Sequence, residues 1–298
     1  MSSTEPENNI NNGNNVGDAL RLLEISRDNM TSGAASLQTS STEYYSTHYK
    51  MNHSKCGIAL ILNHEFFTTP SLRTRTGTNV DCDSLINTLT SLNFEVKDMH
   101  NSIYSDIVRM LEKIANMDHS EHDCLIVAVL SHGILDYLYA YDTFYKAESL
   151  WCHFTPDKCP TLAGKPKLFF IQACQGKKLD PGIILLERTT TDGLPNATFQ
   201  LQADFLIAYS TIPGYYSWRN TEHGSWFIEA LCTELRENGT RYDLLTLLTF
   251  VCQRVAIDFE SCTSNPIRNG KKQTPCIISM LTRLVRFTKT TFTNDHSV

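Results

Sequence analysis

The sequence predicts an α/β domain, a mostly parallel sheet of six strands with helices on both faces. Three observations predict it. Apolar runs of strand length recur along the chain, segments with helical spacing stand between them, and 298 residues with 41% hydrophobic side chains suffice for one large core. The first run covers 57–62. Leu85, Leu89 and Leu92 then recur at the spacing of one helical face, and a weaker run follows at 94–97. Ile107, Met110, Leu111 and Ile114 mark a second helix. The runs at 125–130 and 168–171 are apolar throughout, as strands buried on both faces should be. A run at 205–209 precedes two helical stretches, 227–235 and 244–259, and the last strand is expected at 277–281.

Charge and composition exclude several classes. Lys plus Arg number 26 against 32 Asp plus Glu, a net charge of −6, which argues against a nucleic-acid binder. There is no run of 18 apolar residues to suggest a membrane span. The first residues lack the basic and apolar regions of a secretory signal, so a cytoplasmic protein is expected. Ten cysteines are scattered without a Cys-x-x-Cys pair, a spacing that fits neither a zinc site nor a disulfide scaffold. Reduced thiols packed as small apolar groups are the expectation. Residues 1–47 stand apart: six of the first fifteen are Asn, and Ser and Thr crowd 31–47, so a mobile N-terminal arm is expected. Residues 177–200, with Pro, Gly and a Thr-Thr-Thr-Asp-Gly run, read as a linker open to proteolysis.

In an open parallel sheet the ligand site lies beyond the carboxyl ends of the strands. Ser131-His132-Gly133 follows the run at 125–130, and Gln172-Ala173-Cys174-Gln175-Gly176 follows the run at 168–171. If these two strands are neighbours, a thiol and an imidazole face one crevice. A nearby imidazolium lowers a thiol's pKa, so the sulfur becomes a nucleophile at neutral pH, and the same His can protonate a leaving amine. The backbone N–H groups of Gly133 and Cys174 would hold a developing oxyanion. A nucleotide-binding module is disfavoured, because His64-Glu65-Phe66-Phe67 stands after the first strand in place of a Gly-rich phosphate loop.

The string Gln-Ala-Cys-Gln-Gly with a His 42 residues upstream is a caspase signature. The chain resembles the caspase family, and most of all the executioner caspases of insects. The likeness includes Tyr49-Lys50-Met51-Asn52-His53, Arg75-Thr76-Gly77-Thr78-Asn79-Val80-Asp81 and Gly164-Lys165-Pro166-Lys167-Leu168-Phe169. It continues through Ala203-Asp204-Phe205, Pro213-Gly214-Tyr215-Tyr216-Ser217-Trp218-Arg219-Asn220, Gly224-Ser225-Trp226 and Lys272-Gln273-Thr274-Pro275-Cys276, and so covers roughly 48–287.

The resemblance implies a three-layer caspase-like fold and an endopeptidase that cuts after Asp in apoptosis. Cys174 would be the nucleophile and His132 the acid–base. Arg75 and Arg219, helped by Gln172, would hold the substrate Asp, since a buried carboxylate suits bidentate Arg. Arg73 is the bland neighbour. Tyr216, Ser217, Trp218, Asn220 and Trp226 would line the subsites upstream, where an extended substrate pairs in β fashion. The likeness implies no metal and no cofactor.

It further implies a single-chain zymogen, with a large subunit at 48–192 and a small one at 193–298, parted by a cut after Asp192. Asp180 is a poor site because Pro181 follows it, and Asp18 and Asp28 are both open as sites for removing the arm. A homodimer is expected, its two-fold axis beside the last strand near 276–284. Partners would be Asp-containing proteins, an upstream initiator caspase and inhibitor-of-apoptosis proteins. The chain departs from the family at Ile134, where Glu is usual, and at Asp136, where Gly is usual. If those changes weaken catalysis, the alternative is a caspase-like regulator that binds caspases or their inhibitors and cuts little.

Overall fold

The structure is a computed structural model that describes residues 45–181 and 203–288. Asp192, Asp18, Asp28, the N-terminal arm and most of the linker lie outside the described residues. Six strands form the main sheet: β1 (Lys55–Asn63), β2 (Phe94–His100), β3 (His122–Leu130), β4 (Lys167–Gln172), β5 (Phe205–Tyr209) and β6 (Cys276–Ser279). Four helices accompany them: α1 (Thr78–Ser91), α2 (Tyr104–Ala115), α3 (Trp226–Asn238) and α4 (Leu244–Ile257). The strand order is β6-β5-β4-β3-β1-β2, with β6 alone antiparallel to its neighbour.

Both faces of this sheet are dry, which explains the continuous apolar runs. Ala59, Ile61, Ile126, Ala128, Leu168 and Phe170 turn towards α1, α3 and α4. The alternate residues Ile58, Leu60, Leu125, Val127, Phe169 and Ile171 pack with Ile107, Leu111 and Ile114 of α2 and with Trp151 and Phe154. The helix starts follow local chemistry. Asp243 caps α4, its carboxylate accepting from the N–H groups of Leu245 (3.0 Å) and Thr246 (3.2 Å).

Strand order decides where a site can form. The chain runs from β1 outward to β2, then returns to place β3 on the other side of β1. A doubly wound sheet opens a crevice at such a reversal, beyond the carboxyl ends of its strands. β3 and β4 are parallel neighbours, with Leu130 opposite Gln172. The condition set by the two motifs is therefore met.

Short strands pair outside the main sheet, and the apolar runs did not announce them. Residues 133–134, 137–139 and 144–146 form a three-stranded antiparallel hairpin directly after His132. Asp136 sits at its turn with φ +63°, in the left-handed region that Asp tolerates better than most residues. A Gly at this position would adopt the same backbone freely, so Asp136 keeps the turn a Gly would make.

Candidate active site

Four side chains converge from the carboxyl ends of four different strands. Arg75 comes from the loop after β1, His132 from just beyond β3, Cys174 from just beyond β4 and Arg219 from the loop after β5. All four line one open cavity of about 440 Å³, together with Arg73, Gln172, Tyr216, Ser217 and Trp218.

Arg75 is 1% exposed. Its guanidinium donates to the His64 carbonyl (3.0 Å) and the Thr78 hydroxyl (2.7 Å), and Thr78 in turn donates to Asn63 Oδ1 (2.7 Å). Arg219 donates through Nε to the Thr76 carbonyl (3.0 Å). Neither guanidinium has a carboxylate in ion-pair contact among the described residues. Burial, then the charge of Arg219, pulls Arg75 down to about 9, and burial likewise lowers Arg219. The one buried carboxylate near both is Asp81, and it is engaged elsewhere, accepting from the N–H and hydroxyl of Ser225. Gln172 donates to the Ser217 hydroxyl (2.8 Å), while its Oε1 is buried without a partner. Two cations, one buried and one half-buried, and a buried polar side chain thus have bonding capacity to spare in one cavity. Such groups are costly unless a ligand completes them.

The thiol and imidazole both line this slot. The Ser217 N–H donates to Cys174 Sγ (3.4 Å). Burial pushes the Cys174 thiol up, while the Ser217 N–H, Arg75 and Arg219 pull it back down. His132 places Nε2 on the Arg73 carbonyl (2.7 Å) and packs its ring against Phe67 at 4.9 Å. A carbonyl only accepts, so Nε2 carries the proton and Nδ1 keeps its lone pair for the cleft. Burial first, then Arg75 and Arg219, lowers His132 to about 4, so the resting imidazole is neutral. Gly133 must be glycine, because an added Cβ would stand 2.7 Å from the Cys174 carbonyl oxygen. Among the described residues the Cys174 N–H has no acceptor.

The structure separates the expected subsite residues. Tyr216, Ser217 and Trp218 line the cavity. Trp226 does not; it is 7% exposed and stacks behind Trp218 at 5.9 Å, backed by Phe259 at 5.5 Å. Asn220 does not line it either, and its Oδ1 accepts from the N–H groups of Glu222 (2.7 Å) and His223 (3.2 Å) to close a turn. Sequence reasoning missed three contributors. Arg73 contributes its carbonyl, for which no side-chain signal exists. Gln273 binds the Trp218 N–H (2.6 Å) and the Ser210 carbonyl (2.7 Å), tying the subsite loop to the end of β5. Arg268 lines the cavity with its guanidinium over the Tyr216 ring, 5.6 Å from the centroid.

A thiol and an imidazole lining a cationic slot, at the switch point of an open α/β sheet, suit a cysteine endopeptidase that cuts after an acidic residue. The comparisons are specific. A family profile described as Caspase domain matches residues 56–286. The chain is 54% identical over 250 residues to Caspase drICE of Drosophila melanogaster, covering 83% of this chain and 74% of that relative. It is 52% identical over 292 residues to Caspase-1 of Spodoptera frugiperda, covering 97% and 95% of the two chains. The crystal structure of the Spodoptera Caspase-1 superposes with a TM-score of 0.76 at 55% identity, covering 82% of this chain and 94% of that one. The chain belongs to the caspase family and is an Asp-specific cysteine endopeptidase of the executioner kind.

Proposed function

We propose that Cys174 is the nucleophile and His132 the acid–base of this endopeptidase, and that Arg75, Arg219 and Gln172 bind the substrate Asp. The observation that carries this reading is the buried Arg75 guanidinium and the half-buried Arg219 guanidinium, neither with a carboxylate in ion-pair contact among the described residues, in the same cavity as the Cys174 thiol. A substrate Asp supplies the missing anion to both.

The chemistry then follows. Sγ attacks the carbonyl carbon of the Asp as its proton passes to Nδ1 of His132. The oxyanion accepts from the N–H groups of Cys174 and Gly133. His132 hands the proton to the departing amine, the C–N bond breaks, and a thioester remains. Water, deprotonated by His132, cleaves the thioester and returns the thiol. Burial, and then the two Arg charges, depress His132. A bound carboxylate neutralises those two charges and so removes their part of the shift.

The same reading assigns activation to a cut after Asp192 and the dimer to β6. That strand forms one edge of the sheet, and its Ile277 and Ile278 are only half-buried. An apolar edge of this kind is usually covered. Initiator caspases upstream and inhibitor-of-apoptosis proteins fit as partners, and a cytoplasmic site of action fits with them. No helix among the described residues is long and apolar enough to cross a membrane.

The test is hydrolysis of an acetylated Asp-Glu-Val-Asp reporter by the purified chain. Wild type is expected to cut it and Cys174→Ala to fall by at least about 10⁴-fold. Equal silence of both, with an active caspase co-purifying, would overturn the assignment in favour of the regulator.

A further inference from the structure

His132 delivers the proton to the leaving amine, so the residues that follow the cut must depart on its side of Cys174. The next residues of the chain there are Gly133, Ile134 and Leu135. Gly133 lies against the Cys174 carbonyl. Ile134 shares a small pocket with Cys174, Ala173, Tyr137 and Tyr209. Yet Ile134 is 44% exposed and Leu135 is 43% exposed. Their position is fixed by the hairpin. Ile134 pairs with Tyr137, whose ring meets Phe144 at 5.6 Å, and the Asp136 carbonyl accepts from the Ala147 N–H (2.9 Å). Two branched apolar side chains held by this hairpin in water, directly after His132 and with Ile134 beside Cys174, form a surface that invites cover.

A second observation is independent of the coordinates. The bond expected to be cut in the linker reads Asp192-Gly193-Leu194, and the two alternative sites in the arm read Asp18-Ala19-Leu20 and Asp28-Asn29-Met30. The second residue after Asp is Leu, Leu and Met. Asp180, followed by Pro181 and Gly182, lacks this feature.

The geometry points to an apolar seat made by Ile134 and Leu135 for the second residue beyond the cut Asp, occupied by an unbranched-at-Cβ aliphatic side chain of the substrate. The inference rests on the catalytic roles given to Cys174 and His132. Ile134 is the specificity-determining residue of this seat. It contributes to turnover only through the substrate it holds.

The test is a competition in one tube between two peptides, Asp-Glu-Val-Asp-Gly-Leu and Asp-Glu-Val-Asp-Gly-Gln, each extended by the same flanking residues and followed by mass. The ratio of the two rates is the ratio of kcat/KM and does not depend on how much enzyme is active. Wild type is expected to prefer the Leu peptide by about fivefold, the worth of half-burying one Leu. Ile134→Glu should bring the ratio to within twofold of unity, Ile134→Ser should do the same with a smaller perturbation, and Ile134→Val should keep the preference. A wild-type ratio near one, or a ratio that survives Ile134→Glu and Ile134→Ser, overturns the seat while leaving the protease intact. Failure to cut either peptide overturns the catalytic assignment itself, and the seat with it.

Discussion

The two ends of the central sheet carry cavities of similar size and opposite character. At the carboxyl end the cavity is about 440 Å³ and holds Arg75, Arg219, Cys174 and His132. At the amino end one of about 380 Å³ is lined by Lys50, His53, Asp123 and Lys165. Both ends bury cations and histidines, but they complete them differently. At the amino end the protein supplies the partners. His53 places Nδ1 (2.7 Å) and its N–H (3.0 Å) on Asp123, and the Lys165 ammonium donates to the carbonyls of His119 (2.7 Å), Ser120 (2.9 Å) and His122 (2.6 Å). Lys167 is bonded to the Leu162 (3.2 Å) and Lys165 (2.8 Å) carbonyls. At the carboxyl end the guanidinium groups lack an anion and Gln172 Oε1 lacks a donor. Unfinished polar groups mark the end that works, and finished ones mark the end that holds the fold together.

Substitutions at the two ends should therefore have opposite signatures. Arg75→Ala is expected to cost about 10³-fold in kcat/KM against an Asp peptide, the scale for losing one partner of a buried charge pair. Its thermal stability should hold or rise, because an unpaired buried cation leaves the empty enzyme. A large fall in Tm with activity retained would erase the contrast.

Gly133→Ala should lower kcat by about 10²-fold with KM little changed, the scale for disturbing one oxyanion donor. Its Cβ would force the Cys174 carbonyl aside. Single-turnover kinetics would separate this from a binding defect.

Lys165→Met should do the reverse of Arg75→Ala. It leaves three carbonyls without a donor, for about 2 kcal/mol lost in denaturant unfolding, with kcat/KM within twofold of wild type. A loss of activity without loss of stability would show that the amino end is not merely structural.

The smallest effect is in the pH profile. His132 is lowered to about 4, mainly by burial. A base with a depressed pKa stays neutral as pH falls, so kcat/KM should persist below the 6.5 of an ordinary imidazole and decline only as pH approaches about 4. An acid limb at or above 6.5 would mean that neither burial nor the two Arg charges lower the imidazole.

Much of the fold was legible because its signals are local. Each of the six strand runs and each helical face appears in the structure within a few residues of its expected bounds, since burial on both faces of a sheet leaves an uninterrupted apolar stretch in the sequence. The hairpin at 133–146 escaped because its strands are two or three residues long, too short to carry a period. Trp226 and Asn220 illustrate a different limit. Both stand in a subsite motif, yet one backs the wall and the other closes a turn. A motif names residue types, while only packing says which way each one faces.

The sequence alone determined the α/β class and the strand ends that bear His132 and Cys174, and it suggested the chemistry proposed for those two groups. Tertiary structure alone decided that β3 and β4 lie side by side and that Arg75 and Arg219, far apart in the chain, converge on one cavity. It also decided that the carbonyl of Arg73, and not its side chain, orients the imidazole. The physical reason is range. Periodicity and turn chemistry act over a few residues and are written in them, whereas the meeting of two cations depends on strand order, and no local stretch of sequence encodes that order.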